Sequence, residues 1–196
     1  MAGAPRPGGR SAKVRAAVLS AALAELAESG YHALSLDGVA RRAGVHKTTV
    51  YRRWGTREAL LFDAINARAD EYVPIPDNGS LRADLLDLTR DAITNLSTPH
   101  VQAVARSAVA LAPYDAAVAT TNTAFWTERL AVDGIVVERA ISRGEIAPTD
   151  PTEVIEAVIG PAYMRVLVTG RPVTEEFLAA TVDRVLSGLP KPAKDV

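Results

Sequence analysis

Apolar residues recur along most of the chain at the three- and four-residue spacing of amphipathic helices, and no segment shows the alternation of a half-buried strand. The first apolar stripe begins at Val14 and continues past Leu26 until Gly30 provides a stop. We therefore expect an all-α protein. Its predicted helices cover residues 11–30, 36–43, 47–54, 57–72, 80–96, 101–112, 115–143, 152–169 and 174–189.

Two short helices joined by a glycine turn lie in the first third of the chain. Ser35 can cap the first of them, Gly44 ends it, and Gly55 ends the second. Small apolar residues at positions 39, 40, 45 and 50 suit close packing of the pair, while residues 47–54 include basic side chains and no acid. Such a helix-turn-helix inserts its second helix into the major groove of DNA. The pattern alone also occurs in other all-helical proteins.

Charge is distributed unevenly along the chain, although the formal net charge is only −1. Residues 1–60 hold ten basic and four acidic residues, a net charge of +6, and the remainder has a net charge of −7. A basic first third on an acidic body indicates a nucleic-acid-binding module attached to a second domain. The predicted organisation is a flexible basic arm over 1–10, a helix-turn-helix domain over 11–56, a helical domain over 57–190 and a flexible tail over 191–196.

Composition excludes several classes of protein. Because the chain has no cysteine, it cannot form a disulfide, a thiolate zinc site or an iron–sulfur cluster. Its three histidines are far apart in sequence, so we expect neither a metal nor a cofactor. No stretch approaches the roughly 20 apolar residues of a membrane-spanning helix. Since the apolar pattern of the first helix continues through Glu25 and Glu28, a signal peptide is not predicted, and we expect a cytoplasmic protein.

The residues around the second short helix resemble the TetR (tetracycline-repressor) family of bacterial transcription regulators. The resemblance covers roughly residues 11–62. At two positions the chain departs from the family pattern, because Arg53 replaces a frequent histidine and Arg52 replaces a second aromatic residue. These changes make the surface more basic than usual. The matching residues are Ala43, Gly44, Val45, Thr48, Thr49, Tyr51, Trp54, Gly55, Thr56, Arg57, Glu58, Leu60 and Leu61.

The resemblance implies roles for individual residues of this segment. Tyr51 and Arg57 are expected to hold phosphates, and Ser35 to donate to a phosphate at the start of its helix. His46 is expected to be a turn residue or a neighbour of a phosphate, and Trp54 a core residue. Lys47, Thr48 and Thr49 are expected to reach the edges of the groove. The full set of predicted DNA contacts is Ser35, Lys47, Thr48, Thr49, Tyr51, Arg52, Arg53 and Arg57.

For the remainder of the chain, the resemblance implies a helical body that binds a small-molecule effector. Apolar walls with a few polar groups suit a partly apolar compound. Each of these residues could equally be ordinary core, and that alternative stays open. The candidate pocket residues are Arg106, Thr121, Phe125, Trp126, Tyr163 and Met164.

The resemblance also implies that the last two helices dimerise. Each helix carries an apolar stripe, which in a monomer would be core and in a homodimer could form a four-helix interface. Within the first of them, Pro161 predicts a bend or break, and Gly160 would let a partner approach closely. The predicted dimer residues are Ile155, Ile159, Val166, Leu178, Val182, Val185, Leu186 and Leu189.

The expected function is that of a homodimeric transcription regulator that binds double-stranded operator DNA at a specific sequence. Most members of the family are repressors, so we expect a repressor. A small-molecule effector is expected to release the protein from its operator. Two alternatives remain. One is a non-specific architectural DNA-binding protein. The other is an all-helical enzyme that uses the body pocket, although no GxSxG motif, phosphate-binding loop or histidine cluster supports catalysis.

Overall fold

The computed structural model describes residues 9–72 and 75–192. This part of the chain is helical and contains no strand, which confirms the predicted fold class. Its elements are α1 (Arg10–Ala33), α2 (Leu36–Arg42), α3 (Lys47–Trp54), α4 (Arg57–Tyr72), α5 (Leu81–Leu96), α6 (Pro99–Leu111), α7 (Ala116–Asp133), α8 (Ile135–Ser142), α9 (Pro151–Tyr163), a π-helix (Met164–Thr169) and α10 (Glu175–Gly188).

The first apolar core joins α1, α2 and α3 to the first half of α4 and to Val104 and Ala108 of α6. Leu26, Val39, Val50, Leu60 and Leu61 are all fully or almost fully buried within it. These side chains lie on the faces that the helical spacing predicts, and their burial removes the apolar surface of these helices from water. The predicted domain boundary at residue 57 falls inside this core, so the start of α4 packs as part of the helix-turn-helix unit.

The remaining helices form the body of the protein. Its main core lies between α5, α8, α9 and α10, where Leu85, Val136, Ile155 and Val182 are inaccessible to solvent. The amino termini of α5 and α10 are capped by Ser80 and Thr174, whose side chains accept hydrogen bonds from the backbone three residues later. The body therefore places α9 and α10 side by side at one surface of the protein.

The helix predicted over residues 115–143 is two helices, α7 and α8, which meet at Gly134. The Val137 amide donates to the Gly134 carbonyl at 2.9 Å, a three-residue step that tightens the backbone. A Cβ at Gly134 would lie only 3.0 Å from the Pro151 Cβ, so the absence of a side chain lets the start of α9 approach closely. Glycine also has a low helix propensity, which explains why the helix is interrupted here.

Pro161 does not divide its helix, because α9 continues through Pro161 to Tyr163. The helix then widens into the π-helix. At the end of this segment the Gly170 amide donates to the Arg165 carbonyl, five residues earlier, at 2.8 Å. Arg106 on α6 donates to the carbonyl of Val166 at 3.0 Å and so satisfies a backbone acceptor of this widened segment.

The predicted flexible segments lie largely outside the described residues. Residues 1–8 of the predicted arm and residues 193–196 of the predicted tail are not described, whereas Gly9 caps α1 and Arg10 begins it. Among the helices of residues 9–72 and 75–192, none is long and apolar enough to cross a membrane. The same residues contain no group of three or more acidic or histidine side chains that could hold a metal ion.

Candidate nucleic-acid interface and body cavities

Helix α3 has one buried and one exposed face. Val50 and Trp54 are buried against the helix-turn-helix core, whereas Tyr51 is about half exposed, at 49%. Lys47, Thr48, Arg52 and Arg53 are exposed and Thr49 is half-buried. The predicted DNA contacts on α3 therefore share the face of the helix that is available to a ligand, and the buried face anchors them.

An open groove of about 470 Å³ separates the start of α1 from α3. Arg52 and Arg53 form its cationic wall, and the Arg53 guanidinium lies 5.4 Å from the centre of the Trp54 ring. Arginine binds phosphate through several donors in a plane, so a groove with this wall suits the DNA backbone. The groove is lined by Ser11, Val14, Thr49, Arg52, Arg53 and Trp54.

Trp54 ties α3 to two other helices through a single carboxylate. Its indole nitrogen donates to Asp63 Oδ2 on α4 at 2.8 Å. Arg15 on α1 donates to the same oxygen at 3.2 Å and forms an ion pair with Asp63 Oδ1. Asp63 therefore joins α1, α3 and α4, and it fixes the position of α3 relative to α4. The sequence predicts the burial of Trp54 but not the identity of its acceptor.

Replacing Asp63 with alanine is expected to lower the free energy of unfolding by about 1–3 kcal/mol, because the buried indole N–H of Trp54 loses its acceptor. Asp63→Asn is the matched control, since it keeps an acceptor for Trp54 but removes the charge opposite Arg15. A smaller loss is expected for that variant. Urea unfolding at one protein concentration measures both, and an unchanged stability of Asp63→Ala would contradict the role assigned to this carboxylate.

Arg57 and Ser35 have partners within the chain, which changes their expected roles. Arg57 Nε donates to Glu58 Oε1 at 2.7 Å, and its guanidinium lies 4.5 Å from the centre of the Tyr31 ring. The Ser35 hydroxyl oxygen accepts from the Gly38 amide at 3.0 Å as the cap of α2. Ser35 can still donate its hydroxyl hydrogen, whereas Arg57 is largely committed to this cluster.

Glu58 is a buried acid in the helix-turn-helix core, and its side chain is stabilised as the carboxylate. Burial raises its pKa, but hydrogen bonds from Tyr31 at 2.7 Å and from Arg57 outweigh that effect, so the pKa of Glu58 lies below its ordinary value. A lowered folded-state pKa contributes stability above the pKa of the unfolded chain and loses it as the pH falls. The cluster therefore favours the folded domain at neutral pH.

Two small cavities lie between α4, α5, α7 and α9 in the body, and the first also has walls from α6 and the π-helix. The first, of about 60 Å³, has walls that include Phe62, Phe125, Trp126 and Tyr163. The second, of about 50 Å³, shares three of these walls and adds Arg129, which forms an ion pair with Asp133. Successive rings from Phe62 through Phe125 and Trp126 to Tyr163 have centres 5.0, 5.3 and 5.3 Å apart. This row of aromatic rings connects the helix-turn-helix core to α9.

Several polar groups reach these mostly apolar walls. Burial, followed by the negative charge of Asp133, raises the pKa of Tyr163 to about 12, so its hydroxyl remains neutral and can donate or accept. Asn95 lines both cavities and Asn122 lines the first. Neither asparagine was among the pocket residues predicted from the sequence. A signal for Asn95 was available, because it lies on the face of α5 that also carries Leu88 and Ala92 at helical spacing.

Three predicted pocket residues lie on the cavity walls and three lie outside them. Phe125, Trp126 and Tyr163 line the cavities. Arg106 instead binds the Val166 carbonyl, and Met164 is 53% exposed. Thr121 is absent from the lining, where the adjacent Asn122 contributes instead, because consecutive residues differ by about 100° around a helix.

The predicted dimer residues belong mostly to the core of the protomer. Ile155, Ile159, Leu178 and Val182 are at most 5% exposed, so these side chains pack inside the protomer. Val166, Val185, Leu186 and Leu189 are half-buried and pack against the same cores. The exposed faces of α9 and α10 carry other residues, namely Glu153, Glu156, Ala157, Gly160, Pro161, Glu176, Ala180, Asp183, Arg184 and Ser187.

Both halves of the fold match models of known protein families. Residues 18–64 match the family model described as bacterial regulatory proteins of the tetR family, and residues 75–185 match the one described as tetracyclin repressor-like, C-terminal domain. The chain belongs to the TetR family. It is therefore a DNA-binding transcriptional regulator of the helix-turn-helix type, as the recognition-helix residues predict.

Individual TetR-family members are similar over nearly the whole chain. The HTH-type transcriptional regulator AqdR of Rhodococcus erythropolis is 33% identical over 180 residues, which span 91% of this chain and 86% of AqdR. The DNA-binding transcriptional repressor TetR of Mycobacteroides abscessus is 29% identical, over 90% and 94% of the two chains. The crystal structure of the TetR family regulator SCO0332 superposes with a TM-score of 0.80 at 32% identity, over 90% and 98%.

Proposed function

We propose that this TetR-family protein is a homodimeric repressor that binds a specific operator through α3 and is released by a small molecule bound in the body. The exposed basic face of α3, held on a buried face and anchored by Trp54, is the observation that carries this proposal. A repressor of this kind acts on chromosomal DNA in the cytoplasm. It needs no catalytic group, so we do not propose an enzyme.

The proposed DNA contacts divide into two classes. Arg52 and Arg53 lie on the groove between α1 and α3, where they can bind phosphates. The half-exposed Tyr51 can bind a phosphate through its phenol hydroxyl. Thr48 and Thr49 can contact base edges or thymine methyl groups. The Thr48 hydroxyl lies 2.8 Å from His46 Nδ1, which restricts its rotation at the entry of α3.

The proposed dimer interface uses the exposed faces of α9 and α10 in place of their buried stripes. Ala157, Gly160 and Ala180 present small side chains, which let the helices of two protomers approach closely. Met164 adds a flexible apolar side chain at the end of this face. A two-fold axis here would place two α3 helices on one face of a duplex, at successive major grooves about 34 Å apart.

The proposed effector site is the pair of aromatic cavities. Ligand pockets generally have volumes of about 300–1,000 Å³, so an effector must displace side chains in a cavity of about 60 Å³. Phe62 forms part of this cavity and also packs in the helix-turn-helix core. Displacing Phe125 against Phe62 would therefore move α4 and, through Asp63 and Trp54, the position of α3.

Selection of the purified protein against randomised duplex DNA tests the proposal at about physiological salt, where non-specific binding is weak. Recovery of a single pseudo-palindromic motif is expected. The motif then serves as the probe for compounds that release the protein. Binding that varies little with sequence and disappears with modest salt would instead establish a non-specific architectural protein.

Two substitutions on α3 are expected to have different effects on binding to the selected operator. Arg53→Ala should weaken binding to all sequences similarly and reduce the slope of log affinity against log salt by about 0.9 for each phosphate that the variant no longer neutralises. Thr48→Ala should leave that slope unchanged and alter the preference at particular base pairs. Titrations at four salt concentrations, with the operator and with single-base variants, measure both. Equal effects of the two variants on base preference would contradict this division of roles.

A further inference from the structure

A larger cavity, which the proposed function does not use, lies where the helix-turn-helix unit meets the body. Its volume is about 200 Å³, and we call it the junction cavity. Ala27 and Thr98 are exposed at its rim, so it opens to solvent there. Its lining consists of Leu23, Leu26 and Ala27 from α1, Ile65 from α4, Asn95 from α5, Thr98 before α6 and Val101 from α6.

The junction cavity is mostly apolar but has one amide on its wall, the half-buried side chain of Asn95. Within the residues whose side chains the structure describes, no other group bonds to this carboxamide, so its donors and acceptor face the open cavity. Asn95 lies beside the buried Leu96 and lines the junction cavity together with both aromatic cavities. A carboxamide offers two donors and an acceptor, and a ligand polar group at this point would satisfy them.

The size and lining of the junction cavity restrict its occupant. An apolar protein cavity of about 150 Å³ is large enough to bind benzene, so about 200 Å³ accommodates a slightly larger molecule. Among the side chains that the structure describes, none that lines the cavity is charged, which disfavours an ionic ligand because its desolvation would not be compensated. We infer that the junction cavity is a second small-molecule site, which binds a neutral, mostly apolar molecule of about six to nine non-hydrogen atoms with one hydroxyl or carbonyl group placed at Asn95.

Occupancy of this site would connect the two halves of the protein. Leu23 and Leu26 belong to α1, whereas Val101 belongs to the body, and a ligand between them contacts both. Because a ligand stabilises the arrangement that it binds, occupancy should restrict movement of α1 against α6. Binding itself is independent of the proposed function, and only an effect on operator affinity would rest on it.

Titration with two probe molecules, benzyl alcohol and toluene, tests the inference in the absence of DNA. In methyl-resolved NMR of the full chain, Leu23 and Leu26 report on the junction cavity, whereas Ile65 and Val101 also line the first aromatic cavity. Saturable shifts are expected at Leu23 and Leu26 with both probes. Shifts at Val109 and Leu167, which line the first aromatic cavity, without shifts at Leu23 and Leu26 would overturn the assignment, as would shifts that do not saturate.

Two variants separate the contributions of shape and hydrogen bonding. Ala27→Leu should abolish binding of both probes by filling the mouth of the cavity, whereas Ala131→Leu, at an exposed position of α7 away from the cavity, should leave it unchanged. Asn95→Leu should weaken benzyl alcohol by up to about tenfold and leave toluene unaffected. Equal loss of the two probes in Asn95→Leu would overturn the role of Asn95. Because no arm contains DNA, failure of this inference is distinguishable from failure to select an operator.

Discussion

Replacing Ala157 with arginine is expected to convert the protein from dimers to monomers and to lower its affinity for a two-fold operator by about 100-fold or more, since linking two binding modules raises avidity by about 10²–10⁴. Ala157 is exposed on α9, so a longer side chain meets no core atom of its own protomer. In the proposed interface the same arginine would separate two closely packed helices and place a charge between them.

Ala131→Arg provides the control, because it makes the same substitution at an exposed position of α7. It should remain dimeric and bind the operator normally. Sedimentation analysis gives the oligomeric state, titration gives the affinity, and thermal unfolding verifies that both variants fold. A dimeric Ala157→Arg with unchanged operator affinity would refute an interface on this face of α9.

The dimer interface shows where the sequence pattern stops being informative. A stripe such as Ile155, Ile159 and Val182 indicates that one helical face is buried, but an apolar face can be buried by the same chain or by a second copy. In this protein the body buries the stripes itself. Small residues remain on the opposite faces, and hydrophobic periodicity does not distinguish them from ordinary exposed positions.

The helix-turn-helix unit was more predictable because its signals are local. The predicted bounds of α3 are those observed, and α2 ends one residue earlier than expected. A serine cap at Ser35 and a positive φ at Gly44 and Gly55 define these ends within a few residues, without reference to distant parts of the chain. The shared carboxylate of Asp63 depends instead on how α1, α3 and α4 pack, which no local pattern encodes.

The body cavity was predicted in part for the same reason. Phe125, Trp126 and Tyr163 were expected in the pocket because the family resemblance implies an effector site in the body and aromatic side chains suit its apolar walls, and the structure places their rings in a row. The rotation of α7 decides whether Thr121 or Asn122 faces that cluster, and this rotation depends on packing against several helices. Glycine at position 134 likewise interrupts the predicted long helix because of its close approach to Pro151, a residue much later in the chain.

Replacing Asp133 with alanine is expected to lower the free energy of unfolding by about 3–5 kcal/mol, because breaking a buried ion pair from one side strongly destabilises a protein. The Asp133 and Arg129 side chains are 3% and 15% exposed, and Arg129 Nε donates to Asp133 Oδ2 at 3.0 Å within a two-point pair. Removing the carboxylate takes two hydrogen-bond acceptors away from the guanidinium beside the second aromatic cavity. Urea unfolding at a fixed protein concentration measures the loss.

The double variant Arg129→Met/Asp133→Leu provides the decisive comparison. Replacing a buried ion pair with apolar residues of similar volume often lowers the stability of a protein only slightly, or even raises it, because the desolvation of both charges is avoided. The double variant should therefore recover most of the stability that Asp133→Ala loses. A double variant that is as unstable as Asp133→Ala, or less stable, would contradict a coupled pair. If the double variant folds normally but no longer responds to a releasing compound, the pair contributes to effector recognition at the cavity wall.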